Sequence, residues 1–296
     1  MKKQNRLIGT GTALITPFNA DFSIDFKSLG KIVDHQIKNG VDYLVVLGTT
    51  GESVTLDKSE KEQVVSFIKD RAKGRVPIVV GVGGNNTSEV VHALCTTDLR
   101  GVEAVLSVSP YYNKPNQEGL YKHFSEVAKA SPVPVLLYNV PGRTGSNMLP
   151  ETTLRIAKNH KNVIGIKEAS GNMDQIMSIL KHRPKGFLVI SGDDSITLPL
   201  IASGADGVIS VVSNAFPKKY SEMVRLCLDN KWEKARKLHY ELFDLIPLLF
   251  AEGSPSGVKC LMEMQKLCSN QVRMPLAQVS QSLKTKLAQV AGLRKK

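Results

Sequence analysis

The strongest constraint on the fold is a repeat of element type. Apolar, strand-like runs begin near Leu7, Val41, Pro77, Ala104, Pro134, Val163, Phe187 and Gly207, and amphipathic stretches separate them. The spacing is roughly 20 to 36 residues, about one strand-helix unit each. One such stretch is "FKSLGKIVDHQIKNG" (26–40), closed by Gly40. Another is "SEKEQVVSFIKDRAKG" (59–74), which opens on Ser59 with Glu62 three places on, a capping-box spacing, and closes on Gly74. "LPETTLRIAKNH" and "NMDQIMSILKHR" follow the same plan. Alternation of this kind calls for parallel strands covered by helices. An open doubly wound sheet and a closed barrel both fit, but eight units in about 215 residues favour a (β/α)8 TIM barrel. Beyond residue 215 only helical periodicity remains, as in "WEKARKLHYELFDLIPLLF". The chain therefore reads as α/β, with a barrel over 1–230 and a small C-terminal helical region over 231–296 packed on it.

Composition narrows the class. With 42% apolar and 22% charged residues, 296 residues can bury a sizeable core. No apolar run approaches the ~20 residues of a membrane-spanning helix, so no membrane partner is expected. The first 18 residues pair two lysines with an apolar stretch, yet Gly9, Thr10, Gly11, Thr12 and Pro17 break it. A first strand is expected there rather than a secretory signal. Cys95, Cys227, Cys260 and Cys268 are scattered, which gives neither zinc-ligand spacing nor a disulfide framework and points to a reducing, cytoplasmic setting. The net charge is +12, and its clusters are terminal, Lys2, Lys3 and Arg6 at the start and Arg294, Lys295 and Lys296 at the end, with the rest spread along amphipathic segments. Without a basic-aromatic stripe it argues for small anionic substrates and against a nucleic-acid partner.

In a (β/α)8 enzyme the site lies at the C-terminal ends of the strands. Here the second strand runs into Thr49, Thr50, Gly51, Glu52 and Ser53, and the fourth into Tyr111 and Tyr112. The fifth ends at Tyr138 and Asn139 and turns at Pro141-Gly142 toward Arg143; the sixth, "VIGIK", ends at Lys167. Strand alternation puts Val163, Gly165 and Lys167 on one face and Ile164 and Ile166 on the other. The isoleucines suit the layer under the helices, so Lys167 is expected to point into the barrel mouth. A neutral amine there can attack a ketone and form a Schiff base. An ion pair, or a lysine reaching for solvent, is the plainer explanation on this stretch alone. Schiff-base chemistry also needs a proton shuttle, which Tyr138, with Tyr112 and the Thr49 hydroxyl, could supply. Each tyrosine taken singly reads as core packing. "GTTGES" (48–53) could hold a small carboxylate, and Arg143 could clamp a second one. It is not a phosphate-binding loop, and "GVGGNN" (81–86) lacks the third glycine of a dinucleotide fingerprint. Asp193-Asp194 could bind a metal, although helix capping is the simpler role.

Seven motifs in order, "GTGTALITPF", "GTTGES", "PYYNKPNQEG", "YNVPGRTG", "GIKEASG", "SGDDS" and "GVISVVSN", resemble the dihydrodipicolinate synthase family of pyruvate-dependent class I aldolases. The resemblance covers nearly the whole chain. It implies a Schiff-base lysine at Lys167, a proton donor and acceptor at Tyr138, and a relay through Thr49 and Tyr112, with Tyr112 reaching a neighbouring subunit's site. It implies that Thr50 and the Ile209 carbonyl contact pyruvate, and that Arg143 recognises the carboxylate of L-aspartate 4-semialdehyde. Neuraminate lyases and sugar-acid aldolases generally lack that arginine. The implied activity is condensation of pyruvate with the semialdehyde and cyclisation to 4-hydroxy-tetrahydrodipicolinate, on the diaminopimelate route to lysine. No cofactor is implied beyond the covalent lysine–pyruvate imine, and a homotetramer or homodimer is expected.

The resemblance also implies a possible allosteric lysine site at Ser53, Lys58, Lys61, Asn85, Glu89 and Tyr111. Inhibited members carry histidines where Lys58 and Lys61 stand, and two ammonium groups should repel a cationic effector. Weak or absent feedback by lysine is the expectation. "EGSPSGVK" (252–259) replaces an Asn-Pro pair common in the family and suggests no role by itself. Two other readings remain open: a different pyruvate aldolase, acting on a sugar acid or hydroxy-oxoglutarate, and a barrel that binds or regulates without catalysis. Intact Thr49, Tyr112, Tyr138 and Lys167 weigh against the second.

Overall fold

The computed structural model describes residues 6–293; Lys2, Lys3, Arg294, Lys295 and Lys296 of the terminal basic clusters lie outside them. Eight parallel strands close into a barrel in chain order: β1 (Gly9–Ala13), β2 (Tyr43–Val46), β3 (Ile78–Gly81), β4 (Ala104–Val108), β5 (Val135–Asn139), β6 (Val163–Glu168), β7 (Leu188–Ser191) and β8 (Gly207–Ser210). β1 closes the ring by pairing with β8. The expected (β/α)8 architecture is the one observed.

Parallel strands covered on both faces need two apolar layers. In β2, Tyr43 and Val45 join the cluster that fills the barrel, while Leu44 and Val46 join the layer under the helices. The outer ring holds α1 (Phe26–Lys38), α2 (Lys58–Ala72), α3 (Thr87–Thr96) and α4 (Gln117–Ala130). A single turn, α5 (Pro141–Thr144), carries Arg143, and α6 (Pro150–Asn159), α7 (Met173–His182), α8 (Thr197–Ala202) and α9 (Pro217–Leu228) complete the ring. Then come α10 (Trp232–Phe243), α11 (Leu245–Leu248), α12 (Ser256–Met264) and α13 (Gln281–Val290). Leu242, Leu245, Val258 and Leu287 from these last helices share the outer apolar layer. Among the described residues no helix is long and apolar enough to cross a membrane.

Two local expectations need correcting. The capping box of α2 is made by Asp57 and Glu60, not by Ser59 and Glu62. The Glu60 N–H donates to Asp57 Oδ1 at 2.8 Å and the Asp57 N–H to Glu60 Oε2 at 3.1 Å. A carboxylate two residues earlier meets the same spacing and complements the positive end of the helix, worth about 1 kcal/mol. Strict alternation also fails in β6. Val135 pairs with Val163, but Leu136 pairs with Gly165, so Ile164 is the extra residue of a bulge. Val163 therefore lies in the outer layer with Ile166, while Ile164 packs inward. Gly165 restores the inward phase, and Lys167 keeps its expected direction.

Candidate active site

A cavity of about 470 Å³ opens at the C-terminal ends of the strands, and Thr49, Thr50, Tyr138, Arg143 and Lys167 all line it. Five residues spread over 118 positions of sequence thus face one space because β2, β5 and β6 end at the same level. β5 and β6 place Tyr138 and Lys167 directly opposite each other in register. The Lys167 Nζ stands 4.2 Å from the Tyr138 ring centroid, and the lysine is only 7% exposed. Among the described residues neither the Lys167 ammonium nor the Tyr138 hydroxyl has a hydrogen-bond partner, which answers the plainer explanation of Lys167 as half of an ion pair. Gly192, at the end of β7, gives the lysine room: a Cβ there would fall 2.9 Å from Lys167 Cε.

The Thr49–Gly51 stretch forms a 3-10 turn, with the Gly51 and Glu52 N–H groups spent on the Gly48 and Thr49 carbonyls. Its Thr49–Thr50 end faces the cavity, and Thr16 Oγ1 donates to the Gly51 carbonyl at 2.7 Å from the other side. Arg143 comes from α5, held by its own N–H to the Val140 carbonyl at 2.9 Å. The far wall is apolar, made by Phe243, Ile246 and Pro247 of α10 and α11 and by Phe250 in the turn after them. Those residues were not singled out from the sequence, because only the tertiary fold brings α10 and α11 over the barrel mouth.

Not every expected residue joins this cavity. Ile209 is buried in the barrel interior, and Val211, two places on, lines the wall instead. Tyr112 points away, 87% exposed, on a backbone φ of 71°. A second cavity of about 700 Å³ adjoins the first through Thr49, Tyr138 and Arg143. Ser53, Lys58, Lys61 and Tyr111 line it; Asn85 and Glu89 do not, and the Asn85 carbonyl accepts from Asn113 Nδ2 at 2.9 Å.

Buried carboxyls lie just behind the site. Glu168, next to Lys167 but on the opposite face, accepts from Asn139 Nδ2 at 3.2 Å, from the Ser170 N–H at 2.9 Å and from Gln175 Nε2 at 3.2 Å. Burial pushes its carboxyl up, against the pull of those donors. Asp194 Oδ2 accepts from the Val211 and Val212 N–H groups at 2.9 and 3.1 Å, and its burial likewise pushes it up. Asp193 Oδ1 takes the Ser195 N–H and hydroxyl. Asp193 thus braces its own loop and Asp194 ties that loop to the one after β8; α8 has no side-chain cap, so helix capping is not their role there. Among the described residues no group of three or more His, Cys, Asp or Glu could hold a metal ion.

A model of the dihydrodipicolinate synthetase family matches residues 6–292. The chain belongs to this family. It is 57% identical over 280 residues to the 4-hydroxy-tetrahydrodipicolinate synthase of Flavobacterium psychrophilum, covering 95% of this chain and 96% of that one. Identity to the synthase of Parabacteroides distasonis is 54% over 270 residues, 91% of each chain. Among solved structures, the synthase of the methanotroph Methylacidiphilum fumariolicum SolV superposes with a TM-score of 0.94 at 41% identity, over 97% of this chain and 95% of that one. The dihydrodipicolinate synthetase family thus covers barrel and C-terminal helices together.

Proposed function

We propose that the chain is a 4-hydroxy-tetrahydrodipicolinate synthase, a carbon-carbon lyase that condenses pyruvate with L-aspartate 4-semialdehyde through a Schiff base on Lys167. The observation that carries this reading is the register of β5 and β6, which sets an unpaired, nearly buried lysine beside a tyrosine in one cavity. The Lys167 amine attacks the pyruvate ketone, water leaves, and an imine forms. Tyr138, relaying through Thr49, moves the protons that expel the hydroxyl and convert the imine to an enamine. The enamine carbon bonds to the aldehyde carbon, and the carbonyl oxygen takes a proton. The semialdehyde's amine then attacks the imine carbon and releases the Lys167 amine as the ring closes, so one water is lost in all. The imine is the electron sink, and no further cofactor enters these steps.

Thr50 and the rest of the turn hold the pyruvate carboxylate, with the Ile209 carbonyl beneath; Arg143 takes the second substrate's carboxylate in a two-pronged bond. The apolar wall facing them suits a short aldehyde better than a polyhydroxylated sugar acid, whose hydroxyls would lose their hydrogen bonds there. Tyr112 completes the relay of a neighbouring copy in a homodimer or homotetramer. Lys58 and Lys61 in the second cavity weaken lysine feedback there. The active barrel runs as far as residue 230 and the helical region follows from 231, and the four free thiols suit the cytoplasm. The test is a coupled assay with both substrates, a dihydrodipicolinate reductase and NADPH, run beside Lys167→Ala. NADPH loss that needs both substrates and nearly vanishes in Lys167→Ala is expected. No turnover by folded wild-type protein would reject the synthase.

A further inference from the structure

Glu52 directly follows the Thr49–Gly51 turn, and its carboxylate is held entirely by the C-terminal region. Lys259, 207 positions away on α12, donates to Glu52 Oε1 from a side chain with no exposure, and Glu52 itself is 2% exposed. Lys259 Nζ also donates to the Gln271 carbonyl at 2.8 Å and stands 4.2 Å from the Phe18 ring centroid. The other carboxylate oxygen accepts the Arg273 N–H at 2.9 Å. The Glu52 backbone is left-handed, φ 51° and ψ 34°, a conformation that a residue with a Cβ adopts only under constraint.

Stability alone does not call for charges at this place, since buried ion pairs are often replaceable by packed apolar residues without loss. What two directional bonds to one carboxylate do supply is a fixed rotation of the segment that carries it. Thr16 grips the same turn from the β1 side through the Gly51 carbonyl. The turn is therefore held on one side by the barrel and on the other by the C-terminal region, whose α10 and α11 also wall the cavity.

We propose that the Glu52–Lys259 pair positions the Thr49–Thr50 turn for pyruvate, making Glu52 and Lys259 positioning residues for imine formation. This rests on the reading that the turn binds the pyruvate carboxylate. The test uses full-length Lys259→Met, Glu52→Gln and the double variant, in which no charge is left buried. Steady-state constants, borohydride trapping of the pyruvate imine and thermal melting are measured together. Melting drops in Lys259→Met and recovers in the double variant, but the KM for pyruvate rises about tenfold or more in all three, as displaced binding groups require. The KM for the aldehyde moves much less. Folded variants with wild-type pyruvate KM and trapping rate would overturn the proposal, as would a KM that recovers along with melting. Should Lys259→Met not fold, the double variant decides by the same criterion. A wild-type protein that traps no pyruvate would overturn the functional reading, and this inference with it.

Discussion

Burial moves the protons of His123 and Glu168 in opposite directions. His123 is buried on α4, with Nδ1 2.9 Å from Thr87 Oγ1 and no partner for Nε2 among the described residues. Desolvation lowers its pKa from 6.5 to about 4. An unfolded chain takes up a proton on this histidine near 6.5, while the folded one stays neutral until about 4, so acid favours unfolding across that window. At about 1.4 kcal/mol per pH unit, the full effect is about 3 kcal/mol. His123→Gln, which can keep a bond to Thr87, is expected to lose less stability than wild type between neutral pH and about pH 5 in urea unfolding. The raised carboxyls of Glu168 and Asp194 act on both proteins alike and cancel in that difference. If both proteins lose stability in parallel, His123 is not the titrating group. The sequence exposed Lys167 because an ionisable residue ended an apolar strand. It could not expose Lys259, whose partner is remote and whose motif breaks no local pattern.

At the scale of the element, β6 does the most to place the chemistry, and it was only half legible. Alternation gave the right direction for Lys167 and Ile166, while the Ile164 bulge reversed Val163 and Ile164. A bulge adds a residue without changing the apolar character of the run, so a pattern of hydrophobicity is blind to it. Gly165 marks the place. A Cβ there would lie 2.7 Å from both the carbonyl oxygen and the Cβ of Leu188 in β7, and 3.1 Å from Leu136 Cδ2. Backbone cannot give way as a flexible side chain can. Gly165→Ala should therefore destabilise the fold by about 1–3 kcal/mol and slow imine formation by shifting Lys167. Urea unfolding and borohydride trapping check both, and wild-type values in the two would show that β6 relaxes freely.

For the molecule as a whole, counting eight strand-helix units was enough to predict the closed barrel, because parallel strands leave few ways to bury both faces. The route of residues 231–293 was not readable. Their helices are amphipathic in the ordinary way, and nothing local says that Phe243 and Ile246 will face Lys167 or that α12 will reach the β2 end. Of the proposed relay residues, Tyr112 alone does not line its own chain's cavity; it is held outward on a left-handed backbone whose N–H bonds the Thr144 carbonyl at 3.4 Å. If that ring serves a neighbour, two inactive proteins can repair each other. Mixed and reassociated, Lys167→Ala chains lend their tyrosine to Tyr112→Phe chains, whose lysine is intact. Turnover in the mixture, beyond that of either protein alone, is the expected result; a mixture no better than its components would assign Tyr112 elsewhere. Heredity would then treat this gene product as a partnership, in which two damaged alleles expressed together can support a growth that neither supports by itself.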